Sequence, residues 1–171
     1  MEGQVSGYVG EILRVNLTSR RISCENLKQV KKYLGGSGYA ARILYDEVQS
    51  DIDALSPENK LIFMTGPLTG TLAPYAGRYV AVSKSPLTGI FAEANSGGFW
   101  GPELKFAGFD GIIVEGRAKE PVYVWICDGS VEVRVAGHLW GLDTFQTEDA
   151  IRQELGDIHI KVASIGPAGE K

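Results

Sequence analysis

Residues 11–17 read Glu-Ile-Leu-Arg-Val-Asn-Leu, and apolar Leu13, Val15 and Leu17 alternate with polar Arg14 and Asn16. A period of two predicts a half-buried strand. Thr18 to Arg20 supply a turn, and Arg21 to Glu25 return as its partner strand. From Leu27 to Val48 the spacing changes. Leu27, Val30, Leu34, Ala41, Leu44 and Val48 are separated by steps of three, four and seven, which is the face of a helix. Gly35-Gly36-Ser37-Gly38 interrupts that face, so the pattern predicts two helices with a glycine joint. Pro57 falls in a loop, and Lys60 to Thr65 form a short apolar strand running into Gly66-Pro67-Leu68-Thr69-Gly70. Arg78 to Lys84 is a further strand, and Ser85-Pro86-Leu87-Thr88-Gly89 a turn. Ala94 to Gly98 reads as a glycine-rich loop. Phe99 to Ala107 reads as a short helix with Pro102 tolerated in its first turn, and Gly111 to Glu115 as a strand.

The last third repeats this order. Val122 to Cys127 and Ser130 to Val135 are paired strands, and Asp128-Gly129 between them is a strong two-residue hairpin signal. Asp143 followed by Gln146 forms a capping box for a helix that Gly156 closes after Leu155. His159 to Ser164 is expected as a strand, running into Gly166-Pro167-Ala168-Gly169. Hairpin, helix, strand and Gly-Pro turn thus occur twice. The expectation is a single α+β domain over 1–171, built by duplication: one unit at about 8–116 and a second, incomplete unit at about 121–171. The second unit lacks the closing strands and glycine loop of the first. The chain therefore reads as a fragment, or as one part of a divided protein, with an exposed strand edge.

Composition sharpens the picture at one point. Glycine accounts for 22 of 171 residues, about 13% against a usual ~7%, and it clusters beside strand-like runs rather than spreading as a linker would. Such clusters suit tight turns and close backbone approach to a ligand. A hydrophobic fraction of 44% and a charged fraction of 22% exclude wholesale disorder. A net charge of -4 and the absence of a basic run argue against nucleic-acid binding. No apolar run approaches the roughly 18 residues of a membrane span. Met1 to Gly10 lacks the features of an export signal, so a cytoplasmic setting fits best. Cys24 and Cys127 are too far apart for a close-spaced metal motif and read as buried thiols on strands.

The best candidate site is Asn95-Ser96-Gly97-Gly98-Phe99-Trp100-Gly101. Placed before a helix, it offers free amides to an anion; Gly97 and Gly98 allow an anion-binding nest, and Asn95 offers an oxygen to a hard cation. The competing reading is a helix-capping turn with no ligand. Arg78, just after a long loop, suits a phosphate or a heteroatom-rich cofactor, or is simply a solvated charge. Lys84 and Lys105 are weaker candidates. Gly36-Ser37-Gly38-Tyr39-Ala40-Ala41 fits a loose dinucleotide pattern but follows a helix where that fingerprint requires a strand. His138 and His159 have no partner at metal-ligand spacing, and Trp100, Trp125 and Trp140 read as core or interface.

Beyond these local features, long ordered stretches carry a family likeness. They include Lys32-Tyr33-Leu34-Gly35-Gly36, Leu55-Ser56-Pro57-Glu58-Asn59, Thr65-Gly66-Pro67-Leu68-Thr69-Gly70-Thr71 and Lys84-Ser85-Pro86-Leu87-Thr88-Gly89. Further along come Ala94-Asn95-Ser96-Gly97-Gly98, Gly101-Pro102-Glu103-Leu104-Lys105-Phe106-Ala107-Gly108 and Ile165-Gly166-Pro167-Ala168-Gly169-Glu170. Along nearly its whole length the chain resembles the N-terminal domain of the tungsten-containing aldehyde ferredoxin oxidoreductases. The resemblance implies a base for a tungsten (or molybdenum) bis-pterin cofactor, each half of the domain holding one pterin. It implies cofactor-binding roles for Arg78, Asn95, Ser96, Gly97 and Gly98, with the Asn95 backbone oxygen on a magnesium ion that bridges the pterin phosphates. The family's second glycine-rich pterin loop, its acid–base residues and the four cysteines of its [4Fe-4S] cluster match nothing in this sequence, so they are expected in later domains or a partner subunit.

The implied activity is oxidation of aldehydes to carboxylates with ferredoxin as electron acceptor, this chain positioning the cofactor without catalytic residues of its own. A stand-alone anion or pterin-phosphate binding or subunit-assembly module, and a folded but inert product, remain alternative readings. The pattern also allows a homo-oligomer.

Overall fold

A computed structural model describes residues 6–28 and 30–170. Its centre is a six-stranded sheet of β1 (Glu11–Asn16), β2 (Arg21–Asn26), β3 (Lys60–Thr65), β4 (Tyr79–Lys84), β5 (Phe91–Ser96) and β6 (Gly111–Glu115). The strand order is β2-β1-β6-β3-β4-β5. Only β1 and β6 run parallel; the other neighbours are antiparallel. The helices of the first half are α1 (Val30–Tyr33), α2 (Gly36–Glu47) and α3 (Trp100–Phe106). The second half holds the hairpin β7 (Val122–Cys127) and β8 (Ser130–Val135), a 3-10 turn, α4 (Thr144–Leu155) and the short α5 (Gly166–Gly169).

Alternation along the strands sorts side chains to two faces. Ile12, Ile62, Met64, Val80, Val82 and Ile113 meet α2 on one face. Leu13, Val15 and Ile112 meet Leu104 and Phe109 on the other, where the β7–β8 hairpin packs with Val124, Ile126, Val131 and Val133. A third, smaller cluster around Ala136, Leu139 and Ile151 seats α4. The Asp128-Gly129 turn has positive φ at both residues, as a two-residue hairpin requires. The Asp143–Gln146 capping box is formed, and Gly156 ends α4 in the left-handed conformation.

The α+β class expected from the sequence is the observed one, with four local corrections. Phe91 to Ser96 is a strand, so Asn95 and Ser96 belong to an edge strand and only Gly97 and Gly98 to the loop. His159 to Ser164 is not a strand: among the described residues no strand pairs with it, although Ile160 and Val162 pack on the third cluster. The buried face of α2 is Tyr39, Ala40, Ile43 and Leu44, while Leu34 is 65% exposed; the side chain of Val30 lies outside the described residues. Cys24 and Cys127 are exposed, since β2 is a sheet edge and Cys127 ends β7.

A charge network crosses the α2 face of the sheet. The Arg14 guanidinium contacts Glu25 at 3.0 Å, Glu47 at 2.8 Å and Glu115 at 3.2 Å, and Lys60 joins Glu47 and Glu115. Burial pushes the Glu47 and Glu115 carboxyls up, but hydrogen bonds and charge from Arg14 and Lys60 outweigh it for Glu47, with Asn16 also contributing at Glu115. Both end below the ordinary carboxylate value of 4.5. Depressed carboxylates stabilise the fold above their unfolded value, and that contribution is lost as pH falls through the folded one. The melting temperature is therefore expected to fall more steeply between about pH 5 and pH 3 than in Arg14→Met. Parallel pH profiles for the two proteins would refute the assignment.

Candidate functional site

Register brings three connections to one end of the sheet. Thr65, the last residue of β3, pairs with Tyr79, the first of β4, and Tyr79 pairs with Ser96, the last of β5. The Gly66-Pro67 turn, Arg78 and the Gly97-Gly98 loop therefore emerge side by side. The N-terminus of α2 joins them, because Gly35 lies against the Thr65 carbonyl, where a Cβ would come within 2.8 Å of the oxygen. Between these segments lies an open cleft of about 290 Å³.

Arg78 and Asn95 both line the cleft, together with Gly36 and Ser37. Arg78 is exposed, and among the described residues its guanidinium has no hydrogen bond or ion pair. The Asn95 amide donates to Glu93 Oε1 at 2.7 Å, which leaves its carbonyl oxygen free. Ser96, Gly97 and Gly98 are exposed at the rim rather than in the lining. As an edge strand, β5 leaves alternate backbone carbonyls without a ladder partner. Among the described residues, no acidic side chain lines the cleft.

The helix N-terminus that lines the cleft is that of α2, not that of α3. α3 has only seven residues and begins after Phe99. α2 has twelve, no side chain caps its first turn, and its N-terminal Gly36 and Ser37 border the cleft. The leading amides of a helix lack intrahelical partners and carry partial positive charge. In the sequence the glycine run at the start of α2 reads as a joint between helices and as a loose dinucleotide pattern in the wrong setting. Its link to Arg78 is a matter of tertiary packing, because α2 crosses β3 and β4. Among the described residues, nothing beyond the adjoining backbone lies within 4 Å of where a Cβ would sit on Gly36, Gly97 or Gly98, so a ligand can approach all three backbones closely.

The cleft is braced from below. Tyr79 and Trp100 rings lie 4.6 Å apart and Phe63 packs on Trp100 at 5.4 Å. Lys105 is buried and donates to the carbonyls of Gly7 and Gly66, beside Asp110 at 3.6 Å. Lys84 donates to the carbonyls of Ser50 and Ile52. Both lysines are structural. A groove of about 440 Å³ lies at the opposite end of the sheet, where Lys60 and Glu115 are paired with one another and Glu58 stands at the edge. His138 bonds to Glu154 at 3.0 Å, and no group of three or more His, Cys, Asp or Glu side chains converges to hold a metal among the described residues. No helix of the described residues is long and apolar enough to cross a membrane.

The family model for the aldehyde ferredoxin oxidoreductase N-terminal domain matches residues 12–171. A tungsten-containing aldehyde ferredoxin oxidoreductase of Pyrococcus abyssi is 55% identical over 166 residues, which is 96% of this chain and 27% of that protein. The WOR-like subunit of an aliphatic sulfonate oxidoreductase from Pyrococcus furiosus is 37% identical over 86% of this chain and 24% of its own length. Among solved structures, the active-site complex BamBC of benzoyl coenzyme A reductase superposes with a TM-score of 0.94 at 41% identity, over 96% of this chain and 26% of that one. The chain thus spans about a quarter of the length of these relatives. It belongs to the aldehyde ferredoxin oxidoreductase family, and what it carries is that family's N-terminal domain.

Proposed function

We propose that this chain seats a phosphorylated pterin of a tungsten (or molybdenum) bis-pterin cofactor, as one part of an enzyme that oxidises aldehydes to carboxylates and passes electrons to ferredoxin. The observation that carries the reading is the convergence, at one end of the sheet, of the Arg78 guanidinium, the uncapped start of α2 and open glycine backbone, with no lining carboxylate among the described residues. That donor set fits a phosphate: a guanidinium forks onto its oxygens, and helix amides meet them at short range. Asn95 is the residue we assign to a magnesium ion through its backbone oxygen, with Ser96, Gly97 and Gly98 shaping the rim.

When bound, the metal centre supplies the two-electron chemistry. This chain's residues bind and orient it. The [4Fe-4S] cluster and the proton-transfer groups belong to the remaining domains or a partner subunit. The second hairpin–helix–Gly-Pro sequence is read as a second copy of the same scaffold, placed for the other pterin.

The test uses the full-length enzyme. Arg78→Ala is expected to lower the tungsten and pterin retained per folded chain by about tenfold or more, the scale of one charged hydrogen-bonding partner. Undiminished tungsten in a correctly folded variant would overturn the reading.

A further inference from the structure

Arg78 leaves a loop that has no regular structure. Residues 70–76 bulge outward with Leu72 and Tyr75 fully exposed. The loop is closed at its base, where the Gly70 N–H donates to the Ala76 carbonyl at 2.8 Å. Past that closure, the hydroxyl of Thr69 reaches the backbone of Arg78. Thr69 is 6% exposed. Its Oγ1 donates to the Arg78 carbonyl at 2.8 Å and accepts from the Gly66 N–H at 3.1 Å. Its methyl lies on the first turn of α3, 3.3 Å from where a Cβ on Gly101 would stand. One small side chain thus ties the Gly-Pro turn, the start of β4 and α3 together directly beneath the cleft.

We infer that Thr69 is a positioning residue that sets Arg78 over the cleft through its hydroxyl. The inference rests on the reading of Arg78 as an anion-binding group. A hydroxyl is needed because the turn offers a donor and the strand an acceptor, and only a group that donates and accepts serves both. A methyl in its place leaves the Gly66 N–H and the Arg78 carbonyl without that partner and frees the loop exit. Because the guanidinium sits at the end of a flexible stem, its reach depends on where its own backbone is held.

The experiment compares tungsten retained per folded chain in the full-length enzyme for Thr69→Val, Thr69→Ser, Arg78→Ala and the double variant Thr69→Val/Arg78→Ala. Thr69→Val is expected to retain about fivefold less than wild type, on the scale of one hydrogen bond to a buried partner. Thr69→Ser is expected to match wild type. Thr69→Val is expected to change little once Arg78 is already alanine. Should Thr69→Val fail to fold, Thr69→Ala makes the same comparison. Wild-type retention in the valine (or alanine) variant, an equal loss in serine and valine, or a full further loss in the double variant would each overturn the inference while leaving the cleft reading intact. Undiminished retention in Arg78→Ala would overturn both together.

Discussion

Replacing Asp110 with alanine is expected to remove about 3–5 kcal/mol of folding free energy, the usual cost of breaking a buried ion pair from one side. Asp110 is 1% exposed and Lys105 8%. The carboxylate accepts the backbone amides of Val9 at 3.2 Å and Gly10 at 2.7 Å, and it faces the Lys105 ammonium at 3.6 Å. Burial pushes the Lys105 ammonium's pKa down, and the Asp110 charge acts against that shift. Alanine would orphan two amides and leave a buried cation without its counter-charge.

The consequence reaches the cleft, because Lys105 also holds the Gly66 carbonyl at 3.0 Å. Denaturant unfolding of Asp110→Ala, Lys105→Met and the double variant checks this. The double variant should be less destabilised than the sum of the singles, since neither charge is then left alone. A loss below about 1 kcal/mol in Asp110→Ala would show that the buried pair and its two amides contribute no more than an exposed ion pair does, and would refute this role.

Asp110 does not stand out in the sequence, and Lys105 does so only as a weak site candidate and not as the buried partner it is; the reason is general to this fold. What alternation and spacing reveal is burial, so β1, β3, β4, β6 and the β7–β8 hairpin are legible where one face is apolar and packed. β5 is not legible because five of its six residues are exposed and only backbone pairing with β4 makes it a strand. The error at His159 to Ser164 is the converse: alternation is real there, and Ile160 and Val162 do pack, but a strand needs a neighbour. For α2 the helical period is right, and Leu27, Leu44 and Val48 do pack on the core, but Leu34 and Ala41 do not mark the buried face, which is completed instead by Tyr39, Ala40 and Ile43.

The site divides in the same way. Arg78 and the Asn95 loop are visible as unusual residues in unusual places. The start of α2 becomes part of the site only because Gly35 lets the helix approach Thr65. Thr69 is invisible for a further reason. Its two hydrogen bonds join residues three behind and nine ahead, a relation no periodic pattern encodes.

Gly77 is where close packing and the proposed seat meet most directly, and Gly77→Ala is expected to damage both. A Cβ on Gly77 would run into the carbonyl oxygen of Gly98. The obstacle is backbone, so no flexible side chain can swing aside. Gly98 itself sits at φ +83°, a conformation other residues adopt only with strain, and has little freedom to retreat. Relief must come from shifting the Gly97-Gly98 loop outward or from pulling the start of β4, and Arg78 with it, away from Gly101.

Either movement opens the cleft, so a loss of stability of about 1–3 kcal/mol, typical of overpacking, should accompany a severalfold drop in retained tungsten in the full-length enzyme. Gly97→Ala is the matched control. It lies one residue before the same carbonyl, has no positive φ, and has nothing within 4 Å of its added methyl. It should leave stability within about 0.5 kcal/mol of wild type, as surface substitutions usually do. If Gly77→Ala and Gly97→Ala unfold at the same denaturant concentration, the two loops are not in the contact described, and the geometry holding Arg78 beside the glycine rim falls with it.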